Sequence, residues 1–206
     1  MPADWGMTRY IRPKLPGACV FFTVNLAERG RWLLVDEIVH LRAAVRATRQ
    51  ERPFEIDAWV VLPDHIHAVW TLPEGDADFS TRWGAIKARF TRSLNEAHRR
   101  PGFSPAPLPT EFPVIRAGRY AGLKPGLRQN KRECAIWQRR FWEHHIRDAA
   151  DYHAHLRYCW ANPVRHGFVE RAVDWPYSSI HRDVDAGLVA PEWAGTVAEG
   201  NFGEAV

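Results

Sequence analysis

Apolar residues along this chain recur with two periods, every second residue or every third to fourth, and the changes of period mark out its elements. Cys19 to Leu26 is rich in β-branched and aromatic residues and predicts a strand. Asp36 offers an N-cap for a helix reaching about Gln50, with Ile38, Leu41, Val45 and Thr48 on one face. Phe54 to Leu62 predicts a second strand, apolar on both sides at Trp59-Val60-Val61 and therefore central or well covered. Pro63-Asp64 turns the chain into a third strand from His65. Ser80 offers a cap for a helix through about His98, with Trp83, Ile86, Phe90 and Leu94 facing inward. Prolines at 101, 105, 107, 109, 113 and 125, among glycines and arginines, then predict an irregular basic insertion. Cys134 to Gln138 is a short strand candidate, and Asp148 caps a helix to about Asn162 that Pro163 is expected to stop. The aromatic stretch that follows, with Trp175, Tyr177 and Trp193, predicts a tail packed over the domain.

The order strand-helix-strand-strand-helix-strand is that of a ferredoxin-like α+β sandwich, a central antiparallel sheet with an extra C-terminal helix. One domain over 1–206 is expected, with its core at about 17–98 and 134–170, the insertion at about 99–133 and the tail at about 171–206. In that topology the third strand is central. Its residues alternate faces, so Ile66, Ala68, Trp70 and Leu72 form a wholly apolar side. The other side carries His65, His67, Val69 and Thr71, with the two imidazoles about 7 Å apart along the strand. Such a pair can grip one metal ion.

The last helix supplies a second polar surface. At 100° per residue, Asp151, His155, Tyr158 and Asn162 fall in a stripe about 60° wide, apart from an apolar stripe of Tyr152, Leu156 and Cys159. A phenol is a weak nucleophile at neutral pH, and a nearby cation would stabilise both its phenolate and charge accumulating on an attacked phosphate. Asn162 could donate an amide oxygen as third ligand to His65 and His67. Two imidazoles and an amide suit Mn²⁺ or Zn²⁺, and Mg²⁺ when phosphate oxygens and water complete the shell. His155 is a possible auxiliary on the same stripe. His98, His144 and His145 are read as solvated or capping residues.

Composition bears on partners. The hydrophobic share of 46% and ten tryptophans allow a sizeable core. No apolar run approaches a membrane span, and no secretory h-region opens the chain, so a cytoplasmic, nucleoid-associated protein is expected. Three scattered cysteines form neither a disulfide framework nor a zinc pattern. Of 28 basic residues only four are lysines, and arginine's planar fork suits phosphates, although genomic base composition explains such a bias equally well. Arg82, Arg89 and Arg92 are predicted on a solvent-side stripe, with Lys87 reaching towards the edge of the active surface. Arg9, Arg12, Arg139 and Arg140 are further phosphate candidates, with Tyr10, Trp137 and Phe141 available for stacking on bases.

Several segments together resemble the REP-associated tyrosine transposases, relatives of the single-strand insertion-sequence transposases with a His-hydrophobic-His signature. They are Phe21 to Leu26, Arg52 to His67, Trp70 to Asp76, Arg82-Trp83 with Ile86-Lys87 and Phe90-Thr91, Trp137 to His144, Tyr158 with Asn162 to Gly167, and Asp174 to Pro176. The resemblance implies a Mg²⁺- or Mn²⁺-dependent endonuclease and strand transferase acting on single-stranded DNA. Its substrate would be repetitive extragenic palindrome hairpins with a short recognition sequence beside the stem. His65 and His67 would hold the metal, with Asn162 in the third-ligand position. Tyr158 would be the nucleophile, forming a 5′-phosphotyrosyl enzyme. A monomer is implied, the tail covering surface that dimeric relatives pair through. The insertion at 99–131 departs from the pattern. Two other readings of the same fold are a non-catalytic hairpin-binding regulator of DNA or RNA and a rolling-circle replication initiator or relaxase.

Overall fold

The computed structural model describes residues 13–98, 136–193 and 202–203. Four strands, β1 (Cys19–Asn25), β2 (Glu55–Val61), β3 (His65–Thr71) and β4 (Trp142–His145), form one antiparallel sheet in the order β2-β3-β1-β4. The helices are α1 (Leu33–Asp36), α2 (Ile38–Glu51), α3 (Phe79–His98), α4 (Ala149–Arg165) and α5 (Ile180–Asp185). The architecture is the expected α+β sandwich, and β3 is central.

Alternation along the strands divides the core. Phe22, Ile66, Ala68 and Trp70 pack with Leu41 of α2 and Trp83, Ile86 and Phe90 of α3. Phe21, Val60 and Val69 pack on the other face with Leu156, Tyr158 and Cys159 of α4. Trp70 anchors the first layer, stacked on Trp83 at 4.3 Å and 14° between planes and wholly buried. Trp70→Ala should therefore cost about 3–5 kcal/mol, read as a lowered denaturation midpoint with an unchanged slope.

Local expectations failed in four places. Asp36 ends the short α1, and Glu37 is the residue before α2. Ser80 lies inside α3, whose first turn is capped by Asp78 accepting from the Thr81 N–H at 3.0 Å. The fourth strand is Trp142–His145, and Trp137 makes only an isolated bridge to Leu26. Pro163 does not stop α4, which continues to Arg165. A proline there forfeits one helical hydrogen bond, but this turn is buried, and its end is closed by a Schellman arrangement. Phe168 N–H donates to the Pro163 carbonyl and Gly167 N–H to that of Val164, with Gly167 at φ +69°.

β2 is an edge strand rather than a central one, and it is covered. Val60 bridges Ser178, Val61 N–H donates to the Tyr177 carbonyl, and Trp175 Nε1 donates to the Val61 carbonyl at 2.8 Å. The aromatic C-terminal stretch thus satisfies backbone groups that an open edge would present to another chain.

Candidate active site

β3 turns both histidines towards α4. His65, His67, Tyr158 and Asn162 are each no more than 1% exposed. The Tyr158 ring meets the His67 ring edge-on at 5.1 Å, and the His65 and His67 rings lie 4.9 Å apart. Two pairs of residues more than ninety positions apart in sequence are thus buried between sheet and helix, with His67 and Tyr158 in contact.

Each imidazole is oriented by a neighbour that sequence reading did not single out. His65 Nδ1 lies 2.7 Å from Asp64 Oδ1. The Asp64 carboxylate is held in turn by the Gly30 N–H at 2.6 Å and the Arg29 guanidinium at 3.3 Å. Burial alone would raise its pKa, but the hydrogen bonds from His65 and Gly30, with the charges of His65 and Arg29, hold it below the usual carboxylate value. An ionised Asp64 accepts from Nδ1–H and places the His65 lone pair on Nε2. Thr23, directly opposite His67 across the β1–β3 ladder, donates its hydroxyl proton to the Phe202 carbonyl at 2.6 Å. It therefore accepts from His67 Nδ1–H at 2.9 Å, which puts that lone pair on Nε2 as well. Partners of this kind fix ring tautomer and orientation in metal-ligating histidines, so the donor set fits a divalent ion. Asp64→Asn should weaken Mn²⁺ affinity by about 10- to 100-fold, measured by calorimetric titration.

A second group adjoins the first. His144 of β4 and Asp151 and His155 of α4 bring ligand atoms within 4.8 Å of one another, close enough to hold a metal ion. Asp151 accepts from His144 Nε2 at 2.8 Å and from the Arg147 side chain at 3.1 Å. Burial works against its charge, but these bonds prevail and hold its carboxyl at about 2. The His144 and His155 rings stack at 4.7 Å with planes 16° apart, so their in-plane lone pairs run side by side and one ring must turn before both bind the same ion. His144 is thus part of a network joining β4 to α4, not the solvated residue expected. His155 adjoins the pocket through Phe21, at 4.7 Å between rings.

Phe202 was not anticipated, because nothing in its local sequence connects it to the site. Its ring stacks on Tyr158 at 3.8 Å and 16°. Gly203, at φ +73°, passes so close to Trp142 that an added Cβ would lie 2.5 Å from the indole. Phe202 thus covers one face of the phenol. Phe202→Ala should uncover it, and chemical nitration of Tyr158 should become faster; an unchanged rate would mean that the contact does not restrict access.

The basic candidates separate. Arg82 is not on a solvent-side stripe: it is buried, with its guanidinium on Asp76, the Asp78 carbonyl and the Arg52 and Pro53 carbonyls. Arg89 is tied to Thr48 and Glu51. Lys87 lies with α3 on the sheet face opposite the histidines, donating to the Gln138 carbonyl over the Trp137 and Phe141 rings, and so does not reach the active surface. It lines instead a groove of about 680 Å³ with Thr91, Arg92, Asn95, Trp137 and Arg139. Arg140, next in sequence to Arg139, is exposed. Arg9, Tyr10, Arg12 and the whole of the 99–133 insertion lie outside the described residues.

An Escherichia coli K12 protein, a REP-associated tyrosine transposase, is 42% identical over 200 residues, covering 97% of this chain and 99% of its own. The chain belongs to that family. A Haemophilus influenzae relative bearing the same family name is 41% identical over 189 residues, 92% of this chain and 94% of its own. A solved REP-associated tyrosine transposase bound to a REP hairpin is 40% identical, with a TM-score of 0.76, covering 97% of this chain and 99% of that one. No family model matches. Tyrosine transposases cleave and rejoin DNA, so this chain is an enzyme of that class. Among the described residues, no helix is long and apolar enough to cross a membrane.

Proposed function

We propose that this enzyme cleaves and rejoins single-stranded DNA at REP-type hairpins, with Tyr158 as nucleophile beside a divalent-metal site formed by His65, His67 and Asn162. The observation that carries the reading is the buried contact of Tyr158 with His67, brought together from α4 and β3. The hairpin comes from the related structure, whose bound DNA is of that kind. A divalent ion, Mg²⁺ or Mn²⁺, would stabilise the phenolate and the charge that builds on the attacked phosphate.

The chain's own groups do the rest. Tyr158 gives up its phenolic proton as its oxygen forms a bond to phosphorus. The bond from phosphorus to the 3′ oxygen breaks, that oxygen takes up a proton, and a 5′-phosphotyrosyl enzyme remains with a free 3′-hydroxyl. Attack by another 3′-hydroxyl reverses the step and rejoins strands. Asp64 and Thr23 keep both Nδ1 atoms occupied, so the imidazoles cannot rotate away from the site.

The histidine pair is preferred over the His144–Asp151–His155 group because its rings meet at 83° and are set by separate partners. The latter's rings lie nearly parallel, with Arg147 on the carboxylate. A labelled hairpin oligonucleotide should be cleaved with Mg²⁺ or Mn²⁺ and left intact in EDTA; cleavage in EDTA would end the metal reading.

The groove beside α3 would track the DNA backbone through Lys87, Arg92, Arg139 and Arg140. Lys87→Ala and Arg139→Ala should each weaken hairpin binding and lower the salt slope by about one. Arg9, Tyr10 and Arg12 would add DNA contacts, and His155 would support the pocket from the same helix. The capped β2 edge supports action as a monomer, and a chromosomal hairpin substrate would place the enzyme in the cytoplasm at the nucleoid.

A further inference from the structure

The polar stripe of α4 does not end at Asn162. Because the helix runs to Arg165 with His166 as its C-cap, positions 158, 162 and 166 follow one another at the four-residue spacing that keeps side chains on one face. On a helical wheel His166 lies about 40° from Asn162 and about 20° beyond His155, just past the edge of the stripe that faces the sheet. The ring contacts agree. The His166 ring meets the His65 ring at 5.1 Å and 64°, nearly the 4.9 Å at which His67 meets it.

The His166 ring is also held from behind. Phe168 stacks on it at 5.7 Å and 18°, and Phe168 packs in turn against Trp32 and Trp175. The backbone at this point is fixed by the Asn162 carbonyl, which accepts the His166 N–H at 3.0 Å, and by the left-handed Gly167. A surface histidine at a helix end needs no such clamp. His166 is only half-buried, whereas His65, His67 and Asn162 are enclosed, so it stands at the accessible side of the pocket.

We propose that His166 is a further ligand of the divalent ion held by His65, His67 and Asn162, closing the pocket from the last turn of α4. The assignment rests on the metal reading of the histidine strand given above. It adds a consequence: one ion would join β3 to the end of the helix that carries the nucleophile. Metal binding would thereby set the position of Tyr158 relative to the sheet, as well as supplying charge.

The test is Mn²⁺ binding by the full chain without DNA, followed by electron paramagnetic resonance and calorimetry, for the unmodified protein, His166→Phe and His67→Ala. Phenylalanine keeps the stacking with Phe168 and removes the nitrogens, so a merely structural role survives it. The His144–Asp151–His155 group is common to all three proteins and cancels in the comparison. His166→Phe should weaken Mn²⁺ binding by about tenfold or more, and Mn²⁺ should slow amide exchange in the last turns of α4 only where His166 is present. Unchanged affinity in His166→Phe, with binding lost in His67→Ala, would overturn the role of His166 and leave the platform standing. Unchanged affinity in His67→Ala would overturn the platform, and this assignment with it.

Discussion

Tyr158→Phe should abolish hairpin cleavage while leaving hairpin binding intact. The change removes one oxygen from a ring that is already packed between His67 and Phe202 at 5.1 and 3.8 Å, so the surrounding contacts have little reason to move. In the proposed reaction, what is lost is the atom that would bond to phosphorus. Removing a covalent nucleophile typically costs on the order of 10⁴-fold or more in turnover, because only binding and charge stabilisation remain. The neighbouring phenol cannot substitute. Tyr152 lies on the other stripe of α4, and its hydroxyl donates to Asp57 at 3.1 Å; burial and the Asp57 charge both raise its pKa. Gel-based cleavage, denaturing electrophoresis of the covalent adduct and a filter-binding titration check the three parts separately. An adduct persisting in the variant would remove Tyr158 from its assigned role.

His67→Ala should have a comparable effect through a different route. It deletes the imidazole that meets the phenol edge-on at 5.1 Å and strips Thr23 of the Nδ1–H that its oxygen accepts. Cleavage should fall to the level seen in EDTA, and added Mn²⁺ should no longer stimulate it. Some stability should also be lost, because His67 is fully buried and stacks on Phe21 at 5.6 Å. Thermal unfolding therefore accompanies the assay, and His67→Gln, closer in volume, separates a folding loss from a ligand loss. Metal-stimulated cleavage persisting in folded His67→Ala would contradict the site.

The sheet face that turns His65 and His67 towards α4 was legible because alternation is strict on β3: an apolar row at 66, 68, 70 and 72 leaves the histidines no other side. The stripe on α4 was legible for the same reason, at a different period. Supports reached across the fold were not. Thr23 becomes a partner of His67 only through the β1–β3 register, which local sequence does not encode. Asp64 read as a turn residue, and it is one, but the same turn aims its carboxylate at His65. β4 was misplaced because Trp142-Glu143-His144-His145 lacks the β-branched residues that mark a strand, and its pairing with β1 outweighs that deficit. Reading Pro163 as a stop cost the most, since it ended the polar stripe one turn early and hid His166. Local propensity disfavours a proline there, but burial of this turn and the closing bonds at 167 and 168 prevail.

If sheet and helix contribute to one site, a covalent adduct must form on α4 and depend on β3. The protein is incubated with a hairpin oligonucleotide and Mn²⁺, digested, and the nucleotide-bearing peptide sequenced by mass spectrometry, with His67→Ala alongside. A single phosphotyrosyl peptide centred on Tyr158, formed with metal and absent from His67→Ala, is the predicted result. An adduct on another residue, or one on Tyr158 that forms equally well in His67→Ala, would contradict it.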